Sequence, residues 1–364
     1  MKIFRTGAYE SFYDMPLEVN WSLTKRCNYR CSYCFHYGKG KIPPQLPFSS
    51  LTQLKAAVDN IASLNRPWYN VKLSGGEPTI HPHIFDLIFM LHKTLGERLN
   101  NILIITNGSR NGDLYKKIAG IAKAINLRMN ISIHTDHVDM NHISELIENL
   151  SNDVHINFSL MFNPAKREKV HSIYKTMFER RKKFPFAMKV VPLRDGDRVD
   201  PRYTQEDLTW QQETVKQFDS LVKDLAPKFP PPKKTKHSFQ IFHDIEYNGE
   251  RGIVETKDRT ANFTNGLLAF KGMFCVAHTA LLRIGETGLC QGMVCAADPC
   301  ICNIYEEGSL KAVRDNLIHA VQCPKDLCGC SSNDPIPKFS SPEETLRFMQ
   351  VVHAKQAALF DAAH

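Results

Sequence analysis

The 364 residues are 43% hydrophobic and 23% charged, proportions that fit a folded globular chain and exclude a disordered tail, a coiled coil and a collagen-like repeat. No run approaches the ~20 apolar residues of a membrane helix, and the opening segment lacks the apolar core of an export signal, so a cytoplasmic location with no membrane partner is expected. Forty-six Lys plus Arg against 38 Asp plus Glu leave a formal charge of +8, which suits anionic small molecules and gives no reason to expect a nucleic-acid partner.

In chain order, β-rich runs at 18–23, 71–74, 102–106, 129–134, 156–161 and 188–192 alternate with helical patterns at 50–64, 82–95, 113–124, 139–150 and 165–182. Such alternation reads as an α/β fold with a parallel sheet, and right-handed crossovers close it toward a partial (β/α)6 TIM-like barrel whose function gathers at the C-terminal strand ends. A further helix at 205–225 ends the core at 1–226. A basic Pro-rich linker and a hairpin turning at Asn248-Gly249 occupy 227–263. A cysteine-rich segment spans 264–335, and a closing helix lies within 336–364.

Eleven cysteines in a chain without an export signal point to metal ligation rather than disulfides. Cys27, Cys31 and Cys34 stand together; then 240 residues contain none, and Cys275, Cys290, Cys295, Cys300, Cys302, Cys323, Cys328 and Cys330 follow. The first three lie in the loop after the first strand, at the catalytic end of the barrel. Three thiolates on one short loop ligate three irons of a four-iron cluster and leave the fourth iron without a protein ligand. S-adenosylmethionine can chelate such an iron, and reduction then breaks its sulfonium bond. A zinc knuckle short of one ligand is the plainer alternative.

At Cys27-Asn-Tyr-Arg-Cys31-Ser-Tyr-Cys34-Phe35 the chain resembles the radical S-adenosylmethionine (radical SAM) superfamily, with Phe35 as the trailing aromatic. The resemblance extends to Gly75-Gly76-Glu77, which implies contact with the amino group of the methionine moiety. The glycines allow close backbone approach, and Glu77 either adds charge or tightens the turn. It extends also to Thr106-Asn107 and to Ser132, which imply contacts with the ribose and carboxylate. His134 stands where many relatives carry Asp in a Ser-Leu-Asp-Gly run. His134, His137 and His142 with Asp136 and Asp139 read either as a metal set or as a helix N-terminal turn. Asn163 and Arg194 are further candidates beyond the fifth and sixth strands.

The spacing Cys275-x9-Gly285-x4-Cys290 reads as a hairpin with one ligand on each arm. It resembles the opening of SPASM and twitch domains, which hold auxiliary iron-sulfur clusters. One such cluster would use Cys275 and Cys290 with two of Cys323, Cys328 and Cys330; Cys295, Cys300 and Cys302 complete the eight thiols that two clusters need, and a four-cysteine zinc site is the alternative. The resemblance implies S-adenosylmethionine, a 4Fe-4S cluster with Cys27, Cys31 and Cys34 as catalytic ligands, one or two auxiliary clusters, and an external electron donor such as flavodoxin or ferredoxin. The short stretch before Cys27 and the basic run at Lys233, Lys234 and Lys236 favour a small polar substrate such as a sugar, nucleotide or antibiotic precursor, though a solvated linker explains the same lysines. A SPASM-type peptide or protein maturase and a non-catalytic electron-transfer protein are the other two readings.

Overall fold

The computed structural model describes residues 2–7, 16–38, 42–195, 198–229, 241–247, 249–256, 270–276, 280–292, 300–313, 321–324 and 336–362. Its central wall is six parallel strands in sequential order: β2 (Leu17–Thr24), β3 (Tyr69–Gly75), β4 (Leu99–Thr106), β5 (Leu127–His134), β6 (His155–Phe162) and β7 (Ala187–Pro192). The crossover helices are α1 (Leu51–Ala62), α2 (Ile84–Leu95), α3 (Gly112–Ala122), α4 (Met140–Leu150) and α5 (Arg167–Arg181), followed by α6 (Gln205–Asp224). Local chemistry sets several starts. Ser50 and Gln53 form a capping box on α1, Thr204 and Asp207 form another on α6, and Asp139 accepts two backbone N–H bonds at the start of α4.

Strand residues alternate between two environments. Val19, Trp21, Val71, Leu73, Ile104, Met129, Ile131, Ile156 and Phe158 are buried against the helices, where they meet Leu54, Ile88, Leu91 and Leu146. The intervening residues, among them Glu18, Asn20, Asn70, Lys72, Arg128, Asn130, Ser132, Asn157, Ser159 and Lys189, face the concave inner side. That side is polar: the Asn70 amide donates to Glu18, Asn157 Nδ2 donates to Asn130 Oδ1 (2.9 Å), and Ser159 Oγ donates to the same oxygen (3.1 Å).

Beyond the wall the chain departs from the expected division. β1 (Lys2–Gly7) does not join the barrel. It pairs with β10 (Ile241–Tyr247) and β17 (Lys338–Phe339) in a second, antiparallel sheet that also holds β11 (Glu250–Thr256), β12 (Phe274–Cys275) and β16 (Val321–Gln322). A two-strand pair, β8 (Arg194–Asp195) with β9 (Arg198–Val199), precedes α6. The hairpin β13 (Leu281–Ile284) and β14 (Leu289–Gln291) adds to the barrel instead, with β13 parallel to β2 and β15 (Cys302–Asn303) outside β14. Grouping 1–226 apart from 264–335 therefore cuts across both sheets. Short α7 (Ser309–Val313) follows, and α8 (Pro342–Ala362) closes the chain. Among the described residues no helix is long and apolar enough to cross a membrane.

Leu91 is fully buried between α2 and the wall. Leu91→Ala should cost about 2–5 kcal/mol, read as a lower urea midpoint with an unchanged slope, whereas Phe89→Ser on the half-exposed outer face of α2 should leave the midpoint near the parent's.

Candidate functional site

The loops after β2, β3, β4 and β5 meet at one end of the wall, and two glycines set how closely. Gly75 has φ +135, and a Cβ there would lie 2.1 Å from the Thr24 carbonyl oxygen; one on Gly76 would lie 2.1 Å from that of Arg26. Without side chains the β3 exit lies flat on the stem of the cysteine loop, with Gly76 N–H donating to Thr24 O (2.6 Å) and Glu77 N–H to Arg26 O (2.9 Å). Glu77 itself is fully buried. Its carboxylate accepts from Thr79 N–H (3.0 Å), Thr79 Oγ1 (2.6 Å), Thr106 Oγ1 (2.7 Å) and Asn107 N–H (2.6 Å). Of its two expected roles, the structure displays the tightened turn: Glu77 latches the β3 exit to the β4 exit and engages the Thr106 hydroxyl in doing so.

The cysteine loop leaves this stem as a series of tight turns, Cys34 N–H donating to Cys31 O (3.0 Å) and Gly38 N–H to Cys34 O (2.6 Å). Backbone N–H groups also point at sulfur: Tyr29 at Cys27 Sγ (3.4 Å) and His36 at Cys34 Sγ (3.4 Å). Burial pushes the Cys31 thiol up to about 12 and raises Cys27, and the neighbouring thiols push each further in that direction. Thiols so placed become ligands only when a cationic centre enters among them, and the N–H donors then stabilise the thiolates. Among the described residues no three Cys, His, Asp or Glu side chains gather tightly enough around one point to hold a single metal ion.

Beside the loop lies a cavity of about 190 Å³ whose lining includes Tyr29, Asn107, Ser109, Ser132, His134 and His142. Asn107 joins cavity to loop, its amide nitrogen donating to Asn28 Oδ1 (2.9 Å) and lying 3.7 Å from Cys27 Sγ. The structure thus brings together Cys27, Asn107, Ser132 and His134. Burial, with a smaller push from His137, lowers His134 to about 4, so it is a neutral imidazole whose Nδ1 shares a hydrogen bond with the Tyr33 hydroxyl (2.9 Å). His137 stacks on Tyr29 (4.3 Å), His142 Nε2 bonds Gly108 O (2.7 Å), Asp139 caps α4, and Asp136 pairs with Lys166 (2.5 Å). Of the two readings of these residues, the helix N-terminal turn matches Asp139. Phe35 is 86% exposed. Asn163 caps the turn that precedes α5, and the Arg194 side chain lies outside the described residues. Tyr29 and Tyr33 escaped the sequence reading, although aromatic residues between ligating cysteines were the available signal.

In the second cysteine region, Cys275 is not on the hairpin. The turn does hold Gly285, but the arm begins only at Leu281, and Cys275 sits on β12 in the other sheet, buried with Val276 and Phe339. Cys290 on β14 instead faces Cys302 on β15. A hydrogen bond from Cys290 holds Cys302 below the usual thiol range, and that bond with burial raises Cys290. Cys300 is nearby, with its thiol on the Cys302 carbonyl (3.4 Å). Cys323 packs with Phe270 and Met273; Cys295, Cys328 and Cys330, like the basic run at 230–237, lie outside the described residues. The hairpin turn also reaches the first site: Glu286 accepts from Lys25 N–H (2.7 Å) and pairs with its ammonium (3.1 Å). Asn60 on α1 donates to Ile304 O (2.9 Å) and Glu306 O (2.8 Å).

Comparison with known proteins agrees with this geometry. Residues 21–157 match the family described as the Radical SAM superfamily. That match spans 137 of the 364 residues, and over this stretch the chain resembles a radical SAM core. It is 30% identical over 118 residues to a GTP 3',8-cyclase of Erythrobacter litoralis, covering 31% of this chain and 32% of the relative. It is 26% identical over 190 residues to an S-adenosylmethionine-dependent nucleotide dehydratase of Psychrobacter lutiphocae, 49% and 63% respectively. These alignments span about a third to under two thirds of the relatives' lengths. In fold it resembles anSMEcpe with bound AdoMet (TM-score 0.53, 13% identity, 96% of this chain and 99% of that one) and Streptococcus suis SuiB bound to precursor peptide SuiA (0.50, 14%, 82% and 64%). S-adenosylmethionine and a 4Fe-4S cluster are the cofactors of such a core, and the three-cysteine loop with its N–H···S donors and adjoining cavity fits them.

Glu77→Gln replaces an acceptor of four hydrogen bonds by an amide that cannot accept them all. It should cost about 1–3 kcal/mol by chemical denaturation, while Asp59→Asn on the exposed face of α1 should cost almost nothing.

Proposed function

We propose that this chain is a radical SAM enzyme in which Cys27, Cys31 and Cys34 hold three irons of a 4Fe-4S cluster and leave the fourth to the amino and carboxylate groups of S-adenosylmethionine. The observation that carries this is the convergence of the cysteine loop, the flattened Gly75-Gly76 exit and the Asn107–Ser132–His134 cavity at one end of the wall. When bound, the cluster and S-adenosylmethionine supply a reductively generated 5'-deoxyadenosyl radical that removes a hydrogen atom from a substrate C–H bond.

The chain's own groups do the positioning. Gly75 and Gly76 leave their peptide groups accessible to the ammonium, while Glu77, engaged with Thr106 and Asn107, keeps the exits in register. Asn107 and Ser132 meet the ribose and carboxylate. His134, neutral and anchored on Tyr33, offers a hydrogen bond without adding charge beside the sulfonium. Phe35, exposed at the rim, covers the adenine side. Cys290, Cys300 and Cys302 form one auxiliary ligand set, a different grouping from the one the spacing implied, and Cys275 and Cys323 belong to another. This region acts as a SPASM/twitch-like auxiliary domain, and a flavodoxin or ferredoxin supplies the electron. Two relatives bear names that denote nucleotide chemistry, which supports a small polar substrate; oxidation, epimerisation or bond formation is the outcome of hydrogen abstraction from it.

Anaerobic reconstitution with iron, sulfide, dithionite and S-adenosylmethionine should yield 5'-deoxyadenosine by mass spectrometry; a fully iron-loaded protein that makes none would refute the proposal. The triple variant Cys27→Ala, Cys31→Ala, Cys34→Ala should make no 5'-deoxyadenosine yet retain roughly four to eight irons per chain, and near-zero iron would remove the auxiliary clusters.

A further inference from the structure

Sulfur in the cysteine loop meets its hydrogen-bond donors at a regular interval. Tyr29 N–H points at Cys27 Sγ and His36 N–H at Cys34 Sγ, each two residues on from the thiol it serves. Cys31 is the buried member of the three, and among the described residues no backbone N–H reaches its sulfur in this way. Its donor also stands two residues on but belongs to a side chain. Burial raises the Cys31 thiol most, and a hydrogen bond from the Tyr33 hydroxyl works against that rise. The same hydroxyl reaches the β5 exit, where it lies 2.9 Å from His134 Nδ1 with the two rings 5.9 Å apart and close to parallel. His134 lines the cavity beside the loop, so a chain of three groups, His134, Tyr33 and Cys31, runs from cavity to sulfur.

Counting protons fixes the direction of that chain. Burial raises Tyr33 and lowers His134, so the phenol keeps its proton and the neutral imidazole carries a single one. A cysteine that ligates iron has given up its own. Both bonds then form in one arrangement only: His134 Nδ1–H donates to the Tyr33 oxygen, and Tyr33 O–H donates to the Cys31 sulfur. His134 Nε2 is left as an acceptor, suited to a ligand hydroxyl. The opposite tautomer would draw the Tyr33 proton to His134 and leave the sulfur without it. Adding an electron to an iron-sulfur cluster increases the negative charge on its sulfurs, so an O–H donor stabilises the reduced form more than the oxidised one.

We infer that Tyr33, oriented by His134, is a positioning residue that acts through Cys31: its O–H···S bond makes the cluster held by the three-cysteine loop easier to reduce. This rests on the radical SAM reading above and specifies how electron uptake at that site is set. A control lies in the same loop. Tyr37 is also buried, but its hydroxyl donates to the Lys25 carbonyl (3.0 Å), so Tyr37→Phe removes a comparable bond without touching a sulfur.

The test is an EPR-monitored redox titration of the anaerobically reconstituted full-length protein without S-adenosylmethionine. It follows the signal that the triple variant Cys27→Ala, Cys31→Ala, Cys34→Ala lacks. At a fixed poise near the parent's midpoint, Tyr33→Phe should lower the ratio of reduced to oxidised cluster about 3- to 10-fold, with iron content unchanged. Tyr37→Phe should leave the ratio at the parent's value. His134→Leu should lower it by less than Tyr33→Phe does, because the hydroxyl loses the donor that polarises it. A Tyr33→Phe ratio equal to the parent's, equal shifts in the two tyrosine variants, or a raised ratio in His134→Leu would each overturn the inference. If Tyr33→Phe loads no iron, His134→Leu decides alone, a lowered ratio supporting the inference and an unchanged or raised one overturning it. The two ideas fail separately: 5'-deoxyadenosine with a ratio indifferent to Tyr33 sinks only the tuning role, and a shifted ratio without 5'-deoxyadenosine sinks only the radical chemistry.

Discussion

Two peptide groups must lie against two others with no side chain between them, and the active end of the molecule is organised around that contact. The β3 exit touches the stem of the cysteine loop through Gly75 and Gly76, at distances that any Cβ would violate. The contact is short-range and steric, and it fixes where the three thiols stand relative to the β4 and β5 exits. Glu77 then converts a close approach into a rigid one, because a buried carboxylate with four donors has a single low-energy arrangement.

The rest of the wall serves two purposes on its two sides. Facing outward, aliphatic residues pack against amphipathic helices and hold the sheet together through burial of apolar surface. Facing inward, the same strands carry amides, hydroxyls and cations that a packed core would not tolerate. Polar groups are retained there by bonding one another, as Asn70 does with Glu18 and as Asn157 and Ser159 do with Asn130.

The C-terminal part is joined to the six-strand wall at two distinct places. The hairpin at 281–291 extends the barrel beyond β2 and reaches Lys25 through Glu286, two residues before Cys27. Asn60 secures the segment after Cys302 to α1. Changes in the hairpin at 281–291 therefore have a direct path of hydrogen bonds to the loop that carries Cys27, Cys31 and Cys34.

Local pattern and spacing alone determined much of this protein. Period-two and helical apolar patterns located the six wall strands and their helices within a few residues, since each depends on one amphipathic face. The loop that holds Cys27, Cys31 and Cys34 was legible because three thiols at close spacing after a strand are a local fact, as was the hairpin that pairs β10 with β11. Tertiary structure decided what depends on contacts between distant segments. Lys2–Gly7 crosses to the second sheet because its pairing partners lie more than 230 residues away. Cys290 meets Cys302 rather than Cys275 because strand register, which spacing does not encode, sets which thiols oppose. Arg128 and Lys189 share a face only once the three parallel strands β5 to β7 fix their registers, so the inner surface of the barrel became visible only in the folded chain.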